Sequence, residues 1–343
     1  PSATRTYNTA GQLTGNGIAS YSWDAAGRVS QISQNIFGPA ITAGGPAQAI
    51  AITSAIGYDP VGRVSSVVHT PVGTPSLPVG IKLQDITGPL SASYSYDANG
   101  NRSQASYTQF GGSGDMESLA RSFSLSPAHN RVQAVADTYT HSGGATQQEG
   151  RTLQWDASGH LTSDGQLHFE YDPRGRINKI VNSTNGNATS YQTNALGQRV
   201  RKVESGNLVT DTVYGEEELA SYALGHYQPG NSSSTEYIYL PTASGPMPVA
   251  VQIGSNLYAI DSDHLNTPRR LSDSNGRPVW QWVTTGFGEL EPGTASTGFT
   301  RARLNTGTPA IANTAAVEFN LRYPGQQHDA ETGLYYNHHR TYD

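Results

Sequence analysis

The stretch Phe169-Glu170-Tyr171-Asp172-Pro173-Arg174-Gly175-Arg176-Ile177-Asn178-Lys179-Ile180 carries a grammar that recurs along the whole chain. A recurring unit constrains a fold more tightly than any single residue. Phe169 and Tyr171 lie two apart and share one face of a pleated strand, while Ile177 and Ile180 supply apolar side chains to the returning segment. Asp172 is placed to accept backbone N–H bonds as the first residue of a type I turn, and Gly175 tolerates the positive φ of a bulged hairpin. The unit is a strand, a tight turn and a second strand.

Six further copies follow the same spacing of Asp or Asn and then Gly three residues on. They are Tyr7-Asn8 with Gly11, Trp23-Asp24 with Gly27, Tyr58-Asp59 with Gly62, Tyr96-Asp97 with Gly100, Trp155-Asp156 with Gly159, and Thr193-Asn194 with Gly197. In the copy headed by Asp97, Arg102 sits one place later than its siblings. A slip of one residue turns every following side chain to the other face unless a bulge absorbs it. The spacing of the copies headed by Asp156 and Asp172 sets the minimal repeat, and such a period predicts a core buried by lateral stacking of hairpins.

Charged residues make up 14% of the chain, well under the roughly 25% of ordinary domains, so its polarity comes from Ser, Thr, Asn and Gln. Tyr (19) far outnumbers Phe (7), as suits strands carrying apolar rings with polar tips. The net charge of −6, with only Lys82, Lys179 and Lys202 as lysines, gives no basic stripe for a phosphate backbone and argues against nucleic acid as a partner. With no cysteine, disulfides and thiolate metal sites are excluded. The weakly polar run 40–58 is broken by Gly44, Gly45, Pro46, Gln48 and Thr53 and does not read as a membrane span.

The Gly-, Pro-, Ser- and Ala-rich inserts near 38–55, 70–92, 110–125 and 290–314 read as surface loops and irregular strands. The best helix candidate is the short stretch from Gly215 to Tyr222. The expected class is all-β, with tandem antiparallel hairpins in one large sheet.

Chemistry weighs less than turn capping. The aspartates at 24, 59, 97, 156 and 172 could be imagined as a carboxylate ladder or calcium ligands, yet Asn replaces Asp at 8 and 194, which a charge-requiring role would resist. Asp261, Asp263 and His264, with His328, His338 and His339 as distant partners, form the most metal-like group. Neighbours in a strand face opposite ways, so the group reads as structural, with no metal and no cofactor. Neither a Gly-x-Ser-x-Gly elbow, a P-loop nor a dinucleotide fingerprint is present.

The tandem Tyr-Asp-x-x-Gly-Arg grammar resembles the YD repeats of RHS-repeat proteins and teneurins. The run Asp263-His264-Leu265-Asn266-Thr267-Pro268-Arg269, followed by Asp273, Val279-Trp280 and Phe287-Gly288-Glu289, resembles the opening of the RHS core-associated region. Its closing signature is matched by Asn320-Leu321-Arg322-Tyr323-Pro324-Gly325-Gln326, Asp329, Glu331-Thr332-Gly333-Leu334-Tyr335-Tyr336-Asn337 and Arg340-Thr341-Tyr342-Asp343. Asn266 departs from the family's usual Gly, and Asn tolerates a left-handed turn at modest cost.

The resemblance implies residues 1–205 as a YD-repeat hairpin array and 206–343 as the core-associated region continuing the same sheet. It implies a curled sheet forming part or all of a hollow shell that encloses a C-terminal polypeptide, typically a toxin. The implied setting is secreted or at the surface of a bacterium, in secretion and interbacterial competition. Secretion-system spike proteins or further copies of the chain are the implied partners beside the cargo. The family's self-cleaving segment uses paired aspartates, of which Asp343 would be the first. The second lies past the last residue, so cleavage is not carried over and no enzymatic activity is expected. The other reading of the period-two Tyr and Trp residues is a carbohydrate-binding adhesion module. The start at Pro1 suggests a fragment or processed product. At this length the chain is expected to be a C-terminal piece of a longer wall, a small shell, or a unit that pairs sheet edges with its own copies.

Overall fold

The structure, a computed structural model, describes residues 4–42, 45–108, 116–141, 143–231, 234–288, 292–294 and 317–342. The described residues are almost entirely antiparallel strand, and consecutive strands pair in chain order. The chain divides into two compact units: residues 1–131, 135–150 and 269–318 form one, and 132–134, 151–268 and 319–343 form the other.

In the first unit the ladder begins at Thr6–Tyr7 and runs strand by strand to Thr146–Thr152, whose last two residues belong to the second unit. Its longest strands, Val29–Gly38 and Gln48–Tyr58, pair along eight residue positions from Gln31↔Ala55 to Gly38↔Gln48. Alternation buries Ile36, Ile50 and Ile52 together with Leu83, Ile86 and Val283. The insert 38–55 is therefore not a surface loop. It supplies one of the buried clusters of this unit, because alternating Ile and Ala form a regular strand despite the nearby glycines.

The insert 70–92 contains a helix, Leu83–Thr87, that no apolar period announced. One turn suffices because Asp85 accepts the Lys82 N–H at 2.8 Å and Gly88 ends the helix at φ 79°. By contrast, the expected helix after Gly215 reduces to a 3-10 turn, Glu217–Leu219.

The second unit stacks hairpins from Gln154–Trp155 to Asn256–Ser262. A separate three-stranded sheet, Gln327–Asp329, Leu334–Asn337 and Arg340–Tyr342, belongs to the same unit. Leu334 of this closing hairpin packs with Leu167, Phe169, Ile180 and Tyr191. Burying one such leucine contributes about 1.5–3 kcal/mol.

Candidate functional site

Each repeat builds the same turn. The head residue's N–H bonds the carbonyl four residues on, and the N–H three residues on bonds back to the head carbonyl. This pair of bonds occurs with Asp or Asn at the head at nine places among the described residues, headed by Asn8, Asp24, Asp59, Asp97, Asp156, Asp172, Asn194, Asp263 and Asp273, and once more at His141. At Asp24 the Oδ1 atom accepts the N–H groups of Ala26 and Arg28, both at 2.9 Å. Gly27, Gly62, Gly100, Gly159 and Gly175 all hold φ between 76° and 91°.

Two of the nine turns, at Asp263 and Asp273, were not apparent as repeats. A serine precedes each in place of the aromatic, and Asn266 stands where the glycine would be. Asn266 takes that position at φ 62°. Asp263 is buried, its Oδ1 accepting the N–H groups of Leu265 and Thr267.

The head residue and the residue four on form a matched pair. Arg28, Arg63 and Arg277 each donate from Nε to Oδ2 of their aspartate at 2.6–2.8 Å. The Arg28 guanidinium, with its own backbone N–H, holds the Asp24 carboxyl below the ordinary carboxylate value. Where the head is Asn the partner is Gln: Asn8 Nδ2 donates to Gln12 Oε1 and Asn194 Nδ2 to Gln198 Oε1. Asn reverses the donor, so its partner must accept. Arg176 departs from this and reaches forward, donating to Thr193 Oγ1 at 3.0 Å and the Asn194 carbonyl at 3.1 Å.

In five repeats, those of Trp23, Tyr58, Tyr96, Trp155 and Tyr171, the aromatic before the head residue fastens the repeat to an earlier strand. The Trp23 indole N–H donates to the Leu13 carbonyl, and the Tyr58 hydroxyl donates to that of Val29, both at 2.9 Å. Tyr171 donates to Leu161 at 2.8 Å, and Tyr214, which precedes no such turn, makes the same kind of bond to Arg199 at 3.1 Å. Phenylalanine has no such donor, which is a physical reason for the excess of Tyr. The preceding copy then covers the ring: Arg28 lies 4.3 Å over Tyr58, Arg63 lies 4.3 Å over Tyr96, and His160 stacks on Tyr171 at 4.6 Å.

Asn101 takes the slot four on from Asp97 and donates to its Oδ2 at 2.8 Å. Tyr96↔Arg102 keeps the register of Trp23↔Val29, so no slip occurs. Arg102 occupies the next slot, which is apolar in sibling copies, and lies over the rings of Tyr94, Phe123 and Phe287.

Arg199 holds the same slot after Asn194, and there it meets the closing hairpin. Its guanidinium makes two parallel hydrogen bonds to Asp329, that from NH2 to Oδ1 being 2.8 Å, with both residues buried. It lies 4.2 Å over Tyr336 and 4.8 Å over Tyr191, while its backbone N–H donates to the Tyr336 hydroxyl at 2.9 Å. Burial disfavours the charge on this arginine, and the Asp329 carboxylate outweighs it, so the guanidinium is held more firmly charged than usual. Lys202 Nζ stands 2.9 Å from Glu331, 3.0 Å from Glu204 and 3.7 Å from Asp329. Burial, with the Asp329 charge, pushes the Glu331 carboxyl up. Nearby His226 is lowered to about 4 by burial and by the charges of Arg199 and Lys202.

Of the signature residues, Tyr336 joins this seat, and Gly333 turns the hairpin at φ 74° with its N–H on the Asp329 carbonyl at 2.8 Å. Asn266, Pro268, Pro324 and Gly325 line one small apolar cavity beside Tyr222 and Tyr239. Arg269 belongs to the first unit, where it lies 5.4 Å over Trp282. His264 follows Asp263 in its turn, and Asp343 lies outside the described residues. Among the described residues no group of three His, Cys, Asp or Glu could hold a metal ion. Arg199 and Lys202 escaped the sequence reading, although an arginine in an apolar slot was the available signal.

The sequence model described as Teneurin YD-shell matches residues 81–296. The chain belongs to that family. The tRNA3(Ser)-specific nuclease WapA of Bacillus spizizenii is 25% identical over 260 residues, covering 73% of this chain and 9% of that protein. Toxin protein Tse5 of Pseudomonas aeruginosa is 35% identical over 81 residues, 24% of this chain and 5% of its own. Teneurin-3 of Mus musculus is 22% identical over 83% of this chain and 10% of its own length. The chain thus spans a tenth or less of the length of these relatives. The crystal structure of TcdB2-TccC3-Cdc42 superposes at a TM-score of 0.52 and 15% identity, over 98% of this chain and 18% of that one. At that identity the likeness shows the fold, which is that of the YD shell.

Proposed function

We propose that the chain is a non-catalytic stretch of RHS/YD wall that encloses a C-terminal polypeptide and helps deliver it, in bacterial secretion and competition. The single observation that carries this reading is the latch series, in which Trp23, Tyr58, Tyr171 and Tyr214 each fasten one hairpin to an earlier one along the stacked strands. The relatives named as toxins support a toxin as cargo, with residues 1–205 as the array and 206–343 as the core-associated region continuing its sheet. On this reading the protein works outside the cytoplasm or at the cell surface, with spike proteins or other copies as further partners. Among the described residues no helix is long and apolar enough to cross a membrane.

The adhesion alternative loses ground because the rings of Tyr58, Tyr96 and Tyr171 are covered by Arg28, Arg63 and His160. Electron microscopy and limited proteolysis of the gene's full product test the proposal. A curved wall around a segment that resists protease is expected. A compact helical particle, or an extended chain with no curved wall, overturns it.

A further inference from the structure

Beside the closing hairpin lies a surface cavity of about 280 Å³. Leu167 and Ile180 give it apolar lining, while Glu204 and Glu331 bring carboxylates to it. Two of its hydroxyls are engaged, Ser205 with the backbone of Ala188 and Thr332 with the Asp329 carbonyl and the Leu334 N–H, and Asn182, Asn185, Asn187 and Thr189 complete its polar rim.

The charges around it do not balance. Among the described residues, Glu204, Asp329 and Glu331 pair with Lys202 and Arg199 alone, leaving one carboxylate more than cations. Glu331 uses Oε2 on Lys202, and its buried Oε1 has no hydrogen-bond partner. An unmatched buried carboxylate oxygen is costly to keep. An anion would add repulsion. A cation on an apolar stem answers both the charge and the aliphatic lining, as Lys202 already does from within the chain.

We propose that this cavity binds an alkylammonium group, its methylenes on Leu167 and Ile180 and its nitrogen directed to Glu331 and Glu204. The group could come from a lysine side chain of a polypeptide or from a free amine. The inference goes beyond the shell reading and does not depend on it, since a wall that encloses nothing would still bind the amine.

Calorimetric titration of the chain with Nα-acetyl-lysine methylamide and with cadaverine, against the norleucine analogue of the former, tests it. Saturable binding of an amine is expected, with the uncharged analogue about tenfold weaker or worse. Glu331→Gln is expected to weaken binding by about tenfold. Because that change could loosen the hairpin, Asn187→Leu at the exposed rim provides a second variant, expected to abolish binding without shifting thermal unfolding. Binding of the lysine amide alone identifies a polypeptide source, and of cadaverine alone a free amine; either upholds the site. Equal binding of the norleucine analogue, no binding of either amine, or full affinity in Glu331→Gln overturns it.

Discussion

The turn at Asp24 and the turn at Asn194 share their backbone hydrogen bonds yet send an arginine to opposite fates. Arg28 follows the turn glycine directly, and its side chain is 35% exposed as it folds back on Asp24. Arg199 comes one residue later, and its side chain is 9% exposed, enclosed by Asp329, Tyr336 and Tyr191. In a pleated strand one residue decides the face. The same chemistry thus serves as a solvated cap in one place and as a buried charge in the other. An exposed pair adds little to stability, whereas a buried one is expensive to break.

The sharpest test of that contrast is Asp329→Asn, which leaves Arg199 buried without its counter-charge. A loss of about 3–5 kcal/mol in urea unfolding is expected, and a loss no larger than that of Asp24→Asn would erase the distinction. Acid separates the two regions next. His226 is held neutral with its value near 4, below the ordinary 6.5, so its contribution is complete above pH 6.5 and is lost as pH falls toward 4. That amounts to about 3 kcal/mol, while protonation of Glu331, whose folded value is raised, acts the other way. The difference in melting temperature between the chain and His226→Gln across this range isolates the histidine. The Asp24, Asp156 and Asp172 turns, with lowered values, are expected to hold until the pH drops below the ordinary aspartate value.

Within the turns, Gly175→Ala is expected to cost more than Gly276→Ala. Both hold φ 76°, but a Cβ at Gly175 would meet His160 Nε2 at 2.8 Å and one at Gly276 meets nothing. The backbone penalty alone is about 1–2 kcal/mol, and chemical denaturation of the two variants measures the excess. Tyr58→Phe removes the bond to Val29 while keeping the ring under Arg28, a loss of about 1 kcal/mol. The smallest effect belongs to Asp59→Asn, which faces an Nδ2 donor with a guanidinium. Arg63→Gln added to it is expected to recover the melting temperature, and failure to recover would dissolve the pairing rule.

The repeat was legible in the sequence because its turn rests on local bonds: Asp172, Gly175 and the aromatic sit within a few residues of what they hold. The matched Asp/Arg and Asn/Gln pairs were also present in the sequence, but reading them requires knowing which atom donates. The turn at Asp273 hid because a serine precedes it. The seat was not legible, since Arg199 and Asp329 are 130 positions apart, and only the stacking of intervening hairpins brings them together. The insert around Ile50 and Ile52 misled because its glycines and alanines outweighed the alternation in a composition-based reading.

The latches have a direction. In each one the later residue donates to a carbonyl already fixed in an earlier hairpin, so Tyr58 needs Val29 in place, whereas Val29 needs nothing that follows. A chain emerging from its N-terminus can therefore complete its wall one row at a time, each finished row serving as the template for the next. The pairing of Arg199 with Asp329 is made only when the hairpin that carries Asp329 arrives.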